Sequence, residues 1–104
     1  MTAVDDEKKA DDIVKALLEQ RAAACVQIIG PISSSYWWKG KIEHTKEWLC
    51  LAKAKVEDYE TIQATIKSVH PYEVPEILAS PVILGNPAYL NWIHGETTKR
   101  HEKQ

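Results

Sequence analysis

The sequence predicts a small α+β fold, on three observations. Ala10, Ile13, Val14, Leu17 and Leu18 recur on one face of a helix. Tyr59, Ile62, Ile66 and Val69 repeat that pattern at intervals of three and four. Between the two runs lie stretches rich in β-branched and aromatic residues, joined at Lys39-Gly40, where glycine supplies the positive φ of a tight hairpin.

In chain order, Asp5 or Asp6 can cap the first helix, with Glu7 as a favourable charge in its first turn. That helix ends near Arg21. Ala22 to Ile29 leads into a buried strand, broken at Gly30-Pro31, which resumes from Ile32 to Trp38. The return strand passes Lys41-Ile42-Glu43 and runs from Glu47 to Ala54. It is apolar on both parities from Trp48 to Ala52, so it needs cover on both faces or a partner on one. The second helix must stop at about Val69, because Pro71 drives His70 into extended geometry. Val74 to Leu84 reads as a further strand, interrupted at Pro81. Asn86 and Pro87 then open a short helix carrying Leu90 and Ile93, since Asn caps well and Pro is welcome at the first helical position. The order is α-β-β-α-β-α behind a stub, Met1 to Val4. One more strand at the front completes β-α-β-β-α-β, a ferredoxin-like sandwich with a C-terminal helix and a first strand cut short.

A chain of 104 residues is one domain, 1–104. Thirteen basic against 15 acidic residues, with no basic cluster, argue against a nucleic-acid binder. Lys99-Arg100-His101-Glu102-Lys103 reads as a short frayed tail. No apolar stretch reaches about 18 residues and the first ten are charged, which predicts neither a membrane span nor a signal peptide. Cys25 and Cys50 lie in apolar runs without C-x-x-C spacing and read as buried small hydrophobes in a reducing compartment. Four Trp and four Tyr against no Phe favour subunit interfaces.

The chemistry concentrates in His70-Pro71-Tyr72-Glu73-Val74-Pro75-Glu76-Ile77. Two prolines stiffen a helix-to-strand junction that carries an imidazole, a phenol and two carboxylates. The plain alternative is a proline-rich helix terminator with solvated side chains.

That run, together with Glu19-Gln20-Arg21-Ala22-Ala23-Ala24-Cys25-Val26, Tyr36-Trp37-Trp38-Lys39-Gly40-Lys41-Ile42-Glu43 and Gly85-Asn86-Pro87-Ala88-Tyr89-Leu90-Asn91-Trp92-Ile93, resembles the CutA family of divalent-cation tolerance proteins in order and spacing. The resemblance covers about Thr2 to Ile93. It implies a ferredoxin-like subunit, a homotrimer joined by sheet edges around a threefold axis, a cytoplasmic location, and association with copper and other divalent ions. It also implies a copper site made by a first-strand cysteine and a His-His pair before the proline. Here Met1 stands where that cysteine would be and Val69 replaces the first histidine, so only His70 carries over.

His70 is accordingly the candidate imidazole ligand for a divalent ion, copper first, with Glu73 or Glu76 as oxygen ligand; the reading set against it is a structural, hydrogen-bonded histidine. The site would form between subunits, Tyr72 and Trp92 walling the cleft and Tyr36, Trp37 and Trp38 packing on a neighbour. Glu73 and Glu76 would point to opposite faces of a regular strand, so only one would join His70. Exposure is the plain reading of His44, His94 and His101. Ser33, Ser34 and Ser35 have only His70 as a base to call on, and no G-x-S-x-G, P-loop or G-x-G-x-x-G is present, which predicts no catalysis. The alternative function is a small-molecule or anion sensor using the intersubunit cleft, as in the PII proteins whose trimers CutA trimers resemble.

Overall fold

A computed structural model describes the backbone of residues 1–102 and the side chains of residues 1–99. The elements run β1 (Thr2–Val4), α1 (Glu7–Glu19), β2 (Cys25–Trp38), β3 (Lys41–Lys53), a 3-10 turn (Val56–Asp58), α2 (Tyr59–Val69) and α3 (Pro87–Glu102). The three strands form one antiparallel sheet in the order β1-β3-β2.

Asp6 is the cap of α1, its carboxylate accepting from the Lys8 amide at 2.8 Å. The helix closes with Arg21 at φ 53, its amide on the Leu18 carbonyl and the Ala22 amide on the Leu17 carbonyl. This is a Schellman turn with arginine in the left-handed position that glycine usually fills. Ile13 and Leu17 from α1, Ile62 and Ile66 from α2, Val4 from β1 and Cys50 from β3 form the core, with Val26, Trp48 and Ala52 packed against it. Both helices therefore cover the sheet face to which the even positions of β3 point. Leu49 and Leu51, on the opposite parity, are half-buried and lie outside that core.

Lys39 at φ 50 and Gly40 at φ 79 make a two-residue turn with positive φ at both positions, which matches the strand twist. The hairpin is longer than the sequence suggested at its centre. Gly30-Pro31 does not break β2: the pair, joined by a cis peptide, forms a bulge between the Ile29–Leu49 and Ile32–Glu47 registers, opposite Trp48. Cys50 is buried as expected, whereas Cys25 is only half-buried at the start of β2.

Two other expectations need correcting. Val74 to Leu84 forms no strand; its main-chain link to the sheet is the Met1–Leu78 pair, in which the Met1 ammonium donates to the Leu78 carbonyl at 2.6 Å and the Leu78 amide donates to the Met1 carbonyl at 3.0 Å. Because β1 is three residues long, the segment has almost no ladder to join, and Pro75 and Pro81 bring no N–H. The C-terminal helix is not short. Asn86 caps it through the Ala88 amide at 3.0 Å, and it continues through Glu102, so Lys99 to Glu102 is helical rather than frayed; Lys103 lies outside the described residues.

Gly30 is required by contact. A Cβ there would sit 2.5 Å from Cδ1 and 2.9 Å from Cγ of Trp48, and 3.1 Å from its Cα. Gly30→Ala is expected to lower unfolding free energy by about 1–3 kcal/mol, measured by urea denaturation, because indole and backbone must both give way.

Candidate functional site

Pro71 ends α2 as its ring demands. His70 is extended, φ −79 and ψ 132, while its own amide still reaches the Ile66 carbonyl at 2.8 Å. The imidazole is only 9% exposed and both ring nitrogens are engaged. Nε2 lies 2.8 Å from the Ala3 carbonyl, and Nδ1 lies 3.1 Å from the Tyr72 amide. A carbonyl only accepts and an amide N–H only donates, so the proton sits on Nε2 and the lone pair on Nδ1.

Tyr72 continues the chain of contacts. Its ring meets His70 edge-on, centroids 4.7 Å apart, and its hydroxyl donates to Glu47 Oε2 at 2.7 Å. Burial pushes the phenol well above the ordinary tyrosine range, and the bond to Glu47 and the charge of that carboxylate push it the same way. The hydroxyl therefore stays protonated and acts as a fixed donor. Glu47 is a buried carboxylate, an uncommon place for an acid without a partner. Sequence reading missed it; the one signal was an acid opening a run apolar on both parities.

The expected ligand set does not assemble within one chain. Glu73 and Glu76 are exposed on the segment beyond Tyr72, and no group of three or more His, Cys, Asp or Glu side chains stands together among the described residues. Trp92 is half-exposed on α3 and stacks on Tyr89, centroids 5.7 Å apart. Tyr36, Trp37 and Trp38 lie exposed at the far end of the hairpin, Trp37 at 72%; Tyr36 Oη is 2.8 Å from Thr45 Oγ1. Ser35 pairs with His44, Oγ to Nδ1 at 2.9 Å, and not with His70. His44 and His94 are exposed as expected, and the His101 side chain lies outside the described residues.

A second polar cluster holds α3. Arg21 Nη1 donates to the Glu96 carboxylate at 2.9 Å and carbonyl at 3.3 Å, Lys99 joins the same carboxylate at 2.9 Å, and Lys55 Nζ donates to Thr98 at 3.2 Å. The left-handed turn at Arg21 is what carries its side chain to α3.

A three-stranded antiparallel sheet with two helices on one face, and a polar junction where α2 hands over to an arm outside the sheet, defines a ferredoxin-like subunit. The CutA1 divalent ion tolerance protein family matches residues 1–96, and the chain belongs to that family. It is 47% identical to mouse Protein CutA over 92 residues, 88% of this chain and 52% of that one, so it spans about half the length of that relative. It is 39% identical to the divalent-cation tolerance protein CutA of Thermus thermophilus over 97 residues, 93% of this chain and 94% of that one. The solved structure of the periplasmic divalent cation tolerance protein CutA from Archaeoglobus fulgidus superposes with a TM-score of 0.89 at 35% identity, covering 92% and 93% of the two chains.

Lys99 first and Arg21 next hold the Glu96 carboxyl below its usual range. A carboxyl so depressed in the folded state contributes stability above its unfolded value, about pH 4.3, and that contribution disappears as pH falls through the folded value. The melting temperatures of wild type and Glu96→Gln should accordingly differ near neutrality and converge on acidification past the ordinary glutamate range.

Proposed function

We propose that this chain works as a homotrimer in the cytoplasm, binding divalent ions, copper first, and contributing to their tolerance without catalysing a reaction. Family membership supports the divalent-ion part. The single observation that carries the assembly is an uncovered apolar arm: Val82, Ile83 and Leu84 are consecutive, outside any helix or strand, and 72%, 85% and 86% exposed. Apolar surface left in water costs about 25 cal/mol per Å². The same protomer offers a place for such an arm, since β2 has one neighbour only and presents its outer edge unpaired. Strand addition from one copy to the next satisfies both needs. Leu49 and Leu51 on the sheet face without helices, and the exposed Tyr36, Trp37 and Trp38, fit packing against the same neighbours. Cys25 and Cys50 stand unpaired, in keeping with a reducing compartment.

In this reading the metal meets donors drawn from more than one copy. Glu73 and Glu76 are the exposed oxygen donors of the arm. The second reading, a small-molecule or anion sensor in the intersubunit cleft, gains from one observation: the described residues of a single chain gather no three-donor group.

Light scattering on the purified protein should give about three times 11.8 kDa, and Ile83→Glu should return it to the monomer mass. Calorimetric titration of Cu(II) into reduced, metal-stripped wild type should then saturate at one ion per subunit or per trimer. A flat Cu(II) titration beside an anion-dependent rise in melting temperature would transfer the assignment to the sensor.

A further inference from the structure

His70 is the one residue that carries over from the family's copper site, and its surroundings fit a different task. A metal-bound imidazole turns one nitrogen lone pair to the ion and donates its other N–H. Here the N–H is on the Ala3 carbonyl and the remaining lone pair faces the Tyr72 amide, so no lone pair is left to offer. The ring is nine-tenths buried, and neither Glu73 nor Glu76 joins it in a three-donor group.

We propose that His70, Tyr72 and Glu47 form a latch that fixes the direction in which the arm, residues 73–86, leaves the end of α2, and that His70 serves as a positioning residue and not as a metal ligand. The latch ties three elements at one point. His70 closes the last turn of α2 and reaches β1 through the Ala3 carbonyl, while Tyr72 reaches β3 through Glu47. Between them Pro71 holds its own φ, which leaves the chain few ways to turn once both ends are bound. Downstream, the arm is held by the Met1–Leu78 backbone pair and by the Tyr59 hydroxyl donating to the Ile77 carbonyl at 3.3 Å. Val82, Ile83 and Leu84 follow, exposed. The latch sets where the arm starts, the ties at Ile77 and Leu78 take up that direction, and the apolar tip follows from them. The buried phenol, kept protonated, suits the task, because its hydroxyl cannot be lost to ionisation near neutrality.

The consequence for assembly rests on the trimer reading; the latch itself does not. The test is amide hydrogen exchange at Leu78, read beside Cu(II) calorimetry and light scattering, on wild type, His70→Ala, His70→Asn, Tyr72→Phe and Glu47→Gln. His70→Ala should speed Leu78 exchange about ten-fold or more. His70→Asn should recover part of the loss, because an asparagine oxygen can take the Tyr72 amide as an Asx turn. Tyr72→Phe should loosen Leu78 with His70 still in place, whereas Glu47→Gln, which still accepts from Tyr72, should stay near wild type. Cu(II) stoichiometry should follow the oligomer and not residue 70: every variant that light scattering shows to be trimeric, the His70 variants included, should bind Cu(II) as wild type does. Loss of Cu(II) binding in both His70 variants with Leu78 exchange unchanged would overturn the latch and restore His70 as a ligand. If His70→Ala fails to fold, Tyr72→Phe decides alone, and wild-type exchange in that variant also overturns it. A monomeric wild type would remove the trimer reading, while Leu78 exchange would still judge the latch.

Discussion

The structure depends on a mismatch of lengths. A strand of 14 residues rising about 3.3 Å each is close to the 46 Å long axis of the molecule, whereas the 13 residues of α1 rise only about 1.5 Å each. Two helices can therefore cover only part of one face of the β2–β3 hairpin, and β1, three residues long, flanks only part of β3. Trp37 and Ile42, cross-strand partners near the hairpin tip, lie past the cover and stay in water. On the other side the segment after α2 meets the chain next to β1 through the Met1–Leu78 pair and forms no strand. Both consequences place apolar residues where a single copy cannot bury them, at a cost no 104-residue chain can easily carry. The proposed association between copies would cover those surfaces.

How much of this was legible follows from what kind of signal each feature leaves. The two core helices were plain, because Ile13, Leu17, Ile62 and Ile66 declare a helical period that only a covered face explains. The end of α2 and the start of α3 were plain too, since Pro71, Asn86 and Pro87 act through local sterics and capping that no tertiary contact has to supply. The hairpin turn belongs with them. The Gly30-Pro31 step was misjudged because the same dipeptide reads as a break or as a bulge; the difference lies across the sheet, in the Trp48 indole against Gly30. The strand expected from Val74 to Leu84 has the composition of a strand, but strands exist by pairing, and among the described residues the Met1–Leu78 pair does not extend into a ladder.

The site was legible in position, and for His70 in both of the roles open to it, ligand or hydrogen-bonded structural histidine, but not in its partners. His70 and Tyr72 stood out through the prolines around them, and both are ordered parts of one polar junction. Glu47 and Ala3 complete that junction from 23 or more positions away along the chain, and a backbone carbonyl leaves no mark in a sequence at all. The helix end near Arg21 was legible, but not that this arginine takes the left-handed conformation and uses its side chain on Glu96. In each case the missing information was a long-range partner.

A histidine at position 70 has a physical rationale that needs no ion. The junction requires one side chain that donates to a carbonyl on one side and accepts an amide on the other, across a rigid ring, in a nearly dry place. Asparagine can accept the Tyr72 amide but is too short to span to β1; lysine and arginine offer donors only. Neutral imidazole does both, and its fixed geometry limits the rotamer entropy lost when the junction orders. Burial without both partners would leave a polar group stranded, at a cost of about 1–3 kcal/mol. The extended backbone before Pro71, the Ala3 carbonyl of a strand only three residues long, and the ring between them thus form one mutually dependent unit, on which the arm and whatever it binds are built.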